Sequence, residues 1–312
     1  SLVELITHYE TIAESDPFFM TKPPGVVSFY IAVNQISSLF VNDANQPFGL
    51  QADAHYESLT HLLALAFPLL SVLVLLPLYA LSKNLFDKEH ANLPGLLFIF
   101  IPSFILTPLY LDQGLYPLLF TGGILAALQI LKTNAPGWGF AAGIIAYLAI
   151  FFSFSLLPLI PVVLLWIGLD LIFNLKQRSL VGTIKIILMF FLGFIIMHLI
   201  FKLLLNYDFI LRYQNALAQH RLHKDYLSGV QQIFDAAVLN NTEFTAWLGF
   251  PVVILFFSAI FRTLGTFLRG KPVRKDTLLL AFMITFFALN IMGQTTKKLT
   301  KRIVHVAPVG SR

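Results

Sequence analysis

Long apolar stretches without acidic or basic side chains recur along the chain. A bilayer core of about 30 Å takes roughly 20 apolar residues as a helix. Segments 58–82, 93–111 and 113–131 meet that length, the first with no charged residue and only His61 as a basic group. Segment 138–169 is too long for one crossing. Its Ser153-Phe154-Ser155 break, followed by Pro158 and Pro161, predicts two spans joined as a tight helical hairpin. Segments 186–201, with His198 inside it, 244–261 and 277–296 predict further spans. Segment 26–41 is shorter and holds Asn34, Gln35, Ser37 and Ser38, which reads as an interfacial helix.

The expected fold is therefore all-α, a polytopic bundle of transmembrane helices. Residues 1–57 form a loop with a short interfacial helix, and residues 58–296 form the bundle. Residues 297–312 form a basic tail. Within the bundle, 206–243 is a long loop.

Charge patterning orients the bundle. Lys83 and Lys88 share one gap between spans, and Lys132 lies in the next gap but one. Lys176, Arg178 and Lys185 share another gap, and Arg262, Arg269, Lys271, Arg274 and Lys275 a fourth. The intervening short gaps around Asp112 and Ser153 hold no Lys or Arg. The positive-inside rule puts the basic gaps in the cytoplasm, in the plasma (inner) membrane of the cell. By parity, the N-terminal segment and loop 206–243 lie outside. An outer N-terminal segment without a leader implies at least one helix upstream. Lys297, Lys298, Lys301 and Arg302 fall on the disfavoured side, which reads as truncation at the C-terminal end as well.

Composition agrees with lipid as the solvent. The chain is 57% hydrophobic and 12% charged, about half the usual charged share of a soluble domain. The net charge of +5 is then a matter of topology, and no nucleic-acid partner is expected. With no Cys, disulfides and thiolate metal sites are excluded.

Polar groups gather on the outer side. Residues 1–57 hold seven acids, Glu4, Glu10, Glu14, Asp16, Asp43, Asp53 and Glu57, against the one cation Lys22. Asp112 and Gln113 sit at a short turn between uncharged spans, where a carboxylate needs a reason. Loop 206–243 carries Arg212, His220, Arg221, His223 and Lys224. Of these, Arg212, His220, His223 and Lys224 share one side of a helical wheel, beside Phe209, Leu217 and Leu227. That describes an amphipathic surface helix with cations toward lipid phosphates, whether a substrate's or the bulk lipid's. Carboxylates and cations on one face suit a reaction in which a base takes a proton from an acceptor hydroxyl while cations hold a phosphate leaving group. The candidate catalytic residues are Glu10, Asp16 and Asp112. The candidate substrate-binding residues are His8, Lys22, Gln113, Arg212, Arg221 and Lys224.

Each has a plainer reading beside it. Glu10 and Asp16 serve equally as solvated loop carboxylates, and Asp16 or Asp112 as helix caps. His8 reads also as a surface histidine, and Lys22 as the partner of a neighbouring acid. Pro23-Pro24-Gly25 sets the start of a helix, because Pro fixes φ and Gly permits the turn. Asp170, near the cytoplasmic end of its span, is expected to reach water or Lys176. His61 and His198 are expected to hydrogen-bond neighbouring helices.

An outer segment bearing His8-Tyr9-Glu10 and Lys22-Pro23-Pro24-Gly25, then an amphipathic stretch, then a helix ladder with Asp112 at the next outer turn, resembles the GT-C class of integral-membrane glycosyltransferases. The nearest group is the bacterial relatives of dolichyl-phosphate-mannose protein mannosyltransferases, the glycosyltransferase 39 and Rgt-like set. Pro-Pro-Gly is the most specific shared element. The resemblance implies transfer of a sugar from a polyprenyl-phosphate donor to an acceptor at the outer face. The partners are that lipid-linked donor, membrane lipids, and an acceptor that is a lipid, a glycan or a protein. It leaves open whether a divalent metal takes part. In that class the catalytic Asp follows the first transmembrane helix, which this chain lacks, so the resemblance places the base upstream and predicts an inactive fragment. Two other classes compete. A secondary transporter requires ionisable groups in mid-span, where only His61 and His198 stand. A non-catalytic membrane scaffold requires no site.

Overall fold

The computed structural model describes residues 2–15, 19–38, 69–102, 114–173, 179–223, 230–270 and 272–291. These residues are helical, with no strand among them. The N-terminal segment forms α1 (Leu2–Thr7), α2 (Tyr9–Ser15) and α3 (Gly25–Ser38). Next come α4 (Leu75–Leu85) and α5 (Leu93–Ile99), then α6 (Tyr116–Thr133), α7 (Pro136–Phe152) and α8 (Leu159–Phe173). The chain continues through α9 (Leu180–Leu205), α10 (Phe209–His223), α11 (Val230–Leu248), α12 (Phe250–Leu268) and α13 (Arg274–Ile291). Among the described residues, four segments are long and apolar enough to cross a membrane: Tyr116–Thr133, Phe154–Phe173, Leu180–Leu205 and Phe250–Leu268.

The centre of the bundle is a close helix pair. Gly139 and Gly143 lie one turn apart on α7, and a Cβ at either would strike the carbonyl of Ile186 or Phe190 on α9. Gly193 of α9 meets the Phe140 carbonyl in return. Two backbones come this close only where side chains are missing, and the gain is dispersion along both helices. Around this pair, α6 packs on α7 and α8, and α13 packs on α8. Trp166, fully buried, donates its indole N–H to the Arg274 carbonyl (3.1 Å) and the Thr277 hydroxyl (3.2 Å), fastening α8 to the start of α13. The outward face of α9, including Val181, Leu188, Leu203 and Leu204, is exposed and apolar.

The bundle has two chemically different ends. At one, Lys132 donates to Asn84 (2.6 Å), Arg274 pairs with Asp170, Arg262 pairs with Asp276, and Lys275 lies over Phe86. These contacts gather the neighbouring ends of α4, α6, α8, α12 and α13. The opposite end holds the Ser153 turn, the α9–α10 corner and the acidic N-terminal segment. Gly25 opens α3 hard against the backbone of Phe151 and Phe152 at the end of α7, where a Cβ would not fit.

Several expectations need correction. The break at Ser153 is real, and the Ser153 hydroxyl accepts from the Ser155 N–H (3.2 Å). The two helices it joins do not pack along each other as a hairpin, because α6 packs against both. The expected span 93–111 does not begin as one continuous helix. α5 stops at Ile99, since Pro102 has no N–H for the Phe98 carbonyl, which the Ile101 N–H takes instead (3.2 Å). The span placed at 244–261 straddles a corner. Gly249, at φ 80°, separates α11 from α12, and Pro251 starts the new helix. Asp170 does not reach water, and Lys176 lies outside the described residues. It is fully buried, and its carboxylate lies 3.6 Å from the Arg274 guanidinium.

Candidate functional site

The sequence builds the site from two short helices meeting one long corner. α9 has 26 residues, about 39 Å at 1.5 Å each, which exceeds a bilayer core. Its last turn leads into the corner. Asn206 caps α9 in the left-handed conformation, at φ 50°. Asp208 caps α10, its carboxylate accepting from the N–H groups of Ile210 (2.9 Å) and Leu211 (3.2 Å). Burial alone would raise the Asp208 carboxyl. The bond from Lys202 (2.7 Å) and the two capping N–H groups outweigh it and hold the group below its ordinary value.

One turn into α10, Arg212 points inward and is 2% exposed. Its guanidinium donates to the Glu10 carboxylate (3.2 Å) and to the Met20 carbonyl. Asn215, three residues on and on the same helix face, donates to the same Glu10 oxygen (2.9 Å). Tyr9 is buried beside them, with Arg212 over its ring at 5.9 Å. Its hydroxyl donates to the carbonyls of Lys22 (3.2 Å) and Pro23 (3.3 Å). The Pro23-Pro24-Gly25 turn is thus held on both sides, by Tyr9 before it and by α7 after it. Burial raises the Tyr9 phenol above its ordinary value, with nearby Arg212 partly opposing, so Tyr9 remains a neutral donor.

Beneath this joint lies an aromatic layer. Tyr207 packs on Phe151 (5.4 Å) and Phe201, and Tyr147 packs on Phe194, Phe201 and Phe209. Burial also raises the Tyr207 phenol. The hydroxyls of Tyr147 and Tyr207, Glu10 Oε1 and Arg212 Nε are buried with no hydrogen-bond partner among the described residues. His198 Nδ1 is likewise unpartnered. The expected bond from His198 to a neighbouring helix is replaced, on that nitrogen, by packing against Tyr147 and Phe209.

The structure brings together two of the nominated residues, Glu10 and Arg212, with the Lys22 backbone close by. Arg212 does not face lipid phosphates as its helical wheel implied. Its side chain turns inward because Glu10, Met20 and Asn215 complete an internal polar cluster there. His8 is exposed at the α1–α2 break, its ring 3.1 Å from the Glu4 carbonyl, and lies outside the cluster's bonds. Arg221 belongs to α10, and the description does not extend to its side chain. Asp16, His61, Asp112, Gln113 and Lys224 lie outside the described residues. Tyr9, Asn215 and Tyr207 were not nominated. Asn215 carried a signal, its i+3 spacing from Arg212. Tyr9 stood between two nominated residues but has no chemistry that marks it. Among the described residues, no three His, Asp or Glu side chains gather so as to hold a metal ion. Comparison of the chain with family models, with characterised proteins and with solved structures gives no match.

Proposed function

We propose that this chain is part of a multi-pass membrane glycosyltransferase of the GT-C type. It moves a sugar from a polyprenyl-phosphate donor to an acceptor at the outer face of the plasma (inner) membrane. The observation that supports this reading most is the joint of Glu10, Arg212, Asn215 and Tyr9. It ties the acidic segment and its Lys22-Pro23-Pro24-Gly25 turn to loop 206–243, at the end of the bundle opposite the basic one. Polar structure is costly to maintain beside lipid, so a built polar end is where membrane chemistry is expected.

In this reading Arg212 is a positioning residue, because its guanidinium is committed to Glu10 and Met20. Glu10 holds the segment in place through one carboxylate oxygen and leaves the other for a polar partner. Contact with the donor phosphate falls to Arg221 and Lys224 in the same loop, and substrate placement to Asp112 and Gln113. Asp16 remains the loop carboxylate proposed to assist acceptor activation, and His8 and Lys22 flank the segment that receives the substrate.

The test uses the complete gene product in liposomes with a radiolabelled polyprenyl-phosphate sugar. Label should pass to an acceptor fraction, and Asp112→Asn should depress that transfer at least a hundredfold. Undiminished turnover in the variant would remove Asp112 from the mechanism. Solute flux without transfer would instead favour a permease, whose ionisable groups in mid-span would be His61 and His198.

A further inference from the structure

We propose that the basic end, where α12 and α13 meet α8, binds the phosphate headgroup of an anionic membrane lipid. Two arginines there are held from behind. Asp276 is 1% exposed and accepts from the Val273 N–H (3.0 Å), the Thr263 hydroxyl (3.2 Å) and Arg262 (3.4 Å). Asp170 is fully buried and pairs with Arg274 (3.6 Å). The arginines themselves face outward, with side chains 57% and 37% exposed. The carboxylates fix where each guanidinium sits without enclosing it, and a planar guanidinium fixed in this way is suited to a phosphate.

Arg269 is exposed two turns beyond Arg262, and Lys275 follows Arg274. Among these six residues, four cations against two carboxylates leave a surplus of two positive charges. The neighbouring surface tells a lipid from a soluble anion. Phe261, Leu264 and Leu268 follow one another along an exposed face of α12, and Leu268 is 90% exposed. They run beside Arg262 and Arg269, which lie seven residues apart on one side of the helix. A molecule with its phosphate on the arginines would lay its acyl chains on this apolar face. Basic pockets between membrane helices take anionic headgroups for this reason. The inference rests on the membrane reading of the bundle and is independent of sugar transfer.

The experiment is native mass spectrometry of the purified protein in mixed micelles containing equimolar phosphatidylglycerol and phosphatidylcholine. The wild type should retain phosphatidylglycerol in preference. Arg269→Gln, an exposed change remote from any buried partner, should lower that retention roughly fivefold and leave phosphatidylcholine unchanged. Arg262→Gln leaves buried Asp276 without its counter-ion and endangers folding, so Arg262→Lys is the companion variant. It should keep part of the preference. Added inorganic phosphate should not displace the lipid. Equal retention of the two lipids, or retention unaffected in Arg269→Gln, would overturn the proposal. Displacement by inorganic phosphate would overturn the lipid assignment.

Discussion

Replacing Glu10 by Ala leaves a guanidinium that is 2% exposed facing a site without its carboxylate. Breaking a buried ion pair from one side costs about 3–5 kcal/mol, and an exposed pair contributes only about 0–1 kcal/mol. The Glu10 side chain is 33% exposed, so the pair falls between these limits. The Met20 carbonyl continues to satisfy part of Arg212. The cost is therefore about 2 kcal/mol, or roughly thirtyfold in the equilibrium that opens the segment. The reverse change should be milder. Arg212→Met keeps an apolar stem in the pocket and leaves Glu10 with access to water, at about 1 kcal/mol. Glu10→Ala introduced into Arg212→Met should then cost only the Asn215 hydrogen bond, about 1 kcal/mol at most. Amide hydrogen exchange over α1 and α2 in detergent reads local opening without requiring global unfolding. The reasoning predicts about thirtyfold faster exchange in Glu10→Ala and a coupling of at least ~1 kcal/mol in the double-mutant cycle. Unchanged exchange in Glu10→Ala, or strict additivity of the two changes, would refute it.

Gly143→Ala should destabilise the bundle by at least ~2 kcal/mol, because its Cβ meets the rigid Phe190 carbonyl rather than a side chain that can turn away. Thermal unfolding in detergent measures this, and Gly137→Ala, where a Cβ meets nothing within 4 Å, is the control that should be near neutral. Asp208→Ala should cost about 1 kcal/mol at neutral pH through the lost cap of α10, with the half-exposed Lys202 adding little. The Asp208 carboxyl is lowered on folding, so its contribution is complete above the unfolded value near 4. The contribution fades as pH falls through the lower folded value. The gap between wild type and variant should accordingly be constant from pH 7 to about 5 and close below about 4.

Part of the span pattern was legible in the sequence, at Tyr116–Thr133, Phe154–Phe173 and Leu180–Leu205, because lipid imposes a length and a composition that each segment must satisfy by itself. Boundaries were less legible where a helix ends for a local reason inside an apolar run. Pro102 and the Gly249–Pro251 corner are both visible in the chain, but apolar content runs through them without a break. Which helices pack together was not legible. Gly139 and Gly143 have the spacing of a close helix contact, yet nothing in that spacing names Gly193 and Phe190 as their partners. The shared end of the N-terminal segment and loop 206–243 followed from charge parity alone. The orientation of Arg212 did not, since a wheel assigns residues to a side of a helix and cannot say whether that side faces lipid or another part of the chain. Glu10 lies 202 residues away, and only the fold brings it to Arg212. Asp170 shows the same limit, since its partner Arg274 belongs to a helix far along the chain.

The central claim is a bundle with an acidic, jointed end and a basic end on opposite sides of a membrane. The chain has no cysteine, so single introduced cysteines report without interference. Glu14→Cys lies on the exposed N-terminal segment, and Arg269→Cys on the exposed end of α12. Intact cells expressing each variant are treated with a membrane-impermeant maleimide, before and after permeabilisation. The account predicts labelling of Glu14→Cys in intact cells and of Arg269→Cys only after permeabilisation. Labelling of both from the same side, or the reverse order, would contradict it.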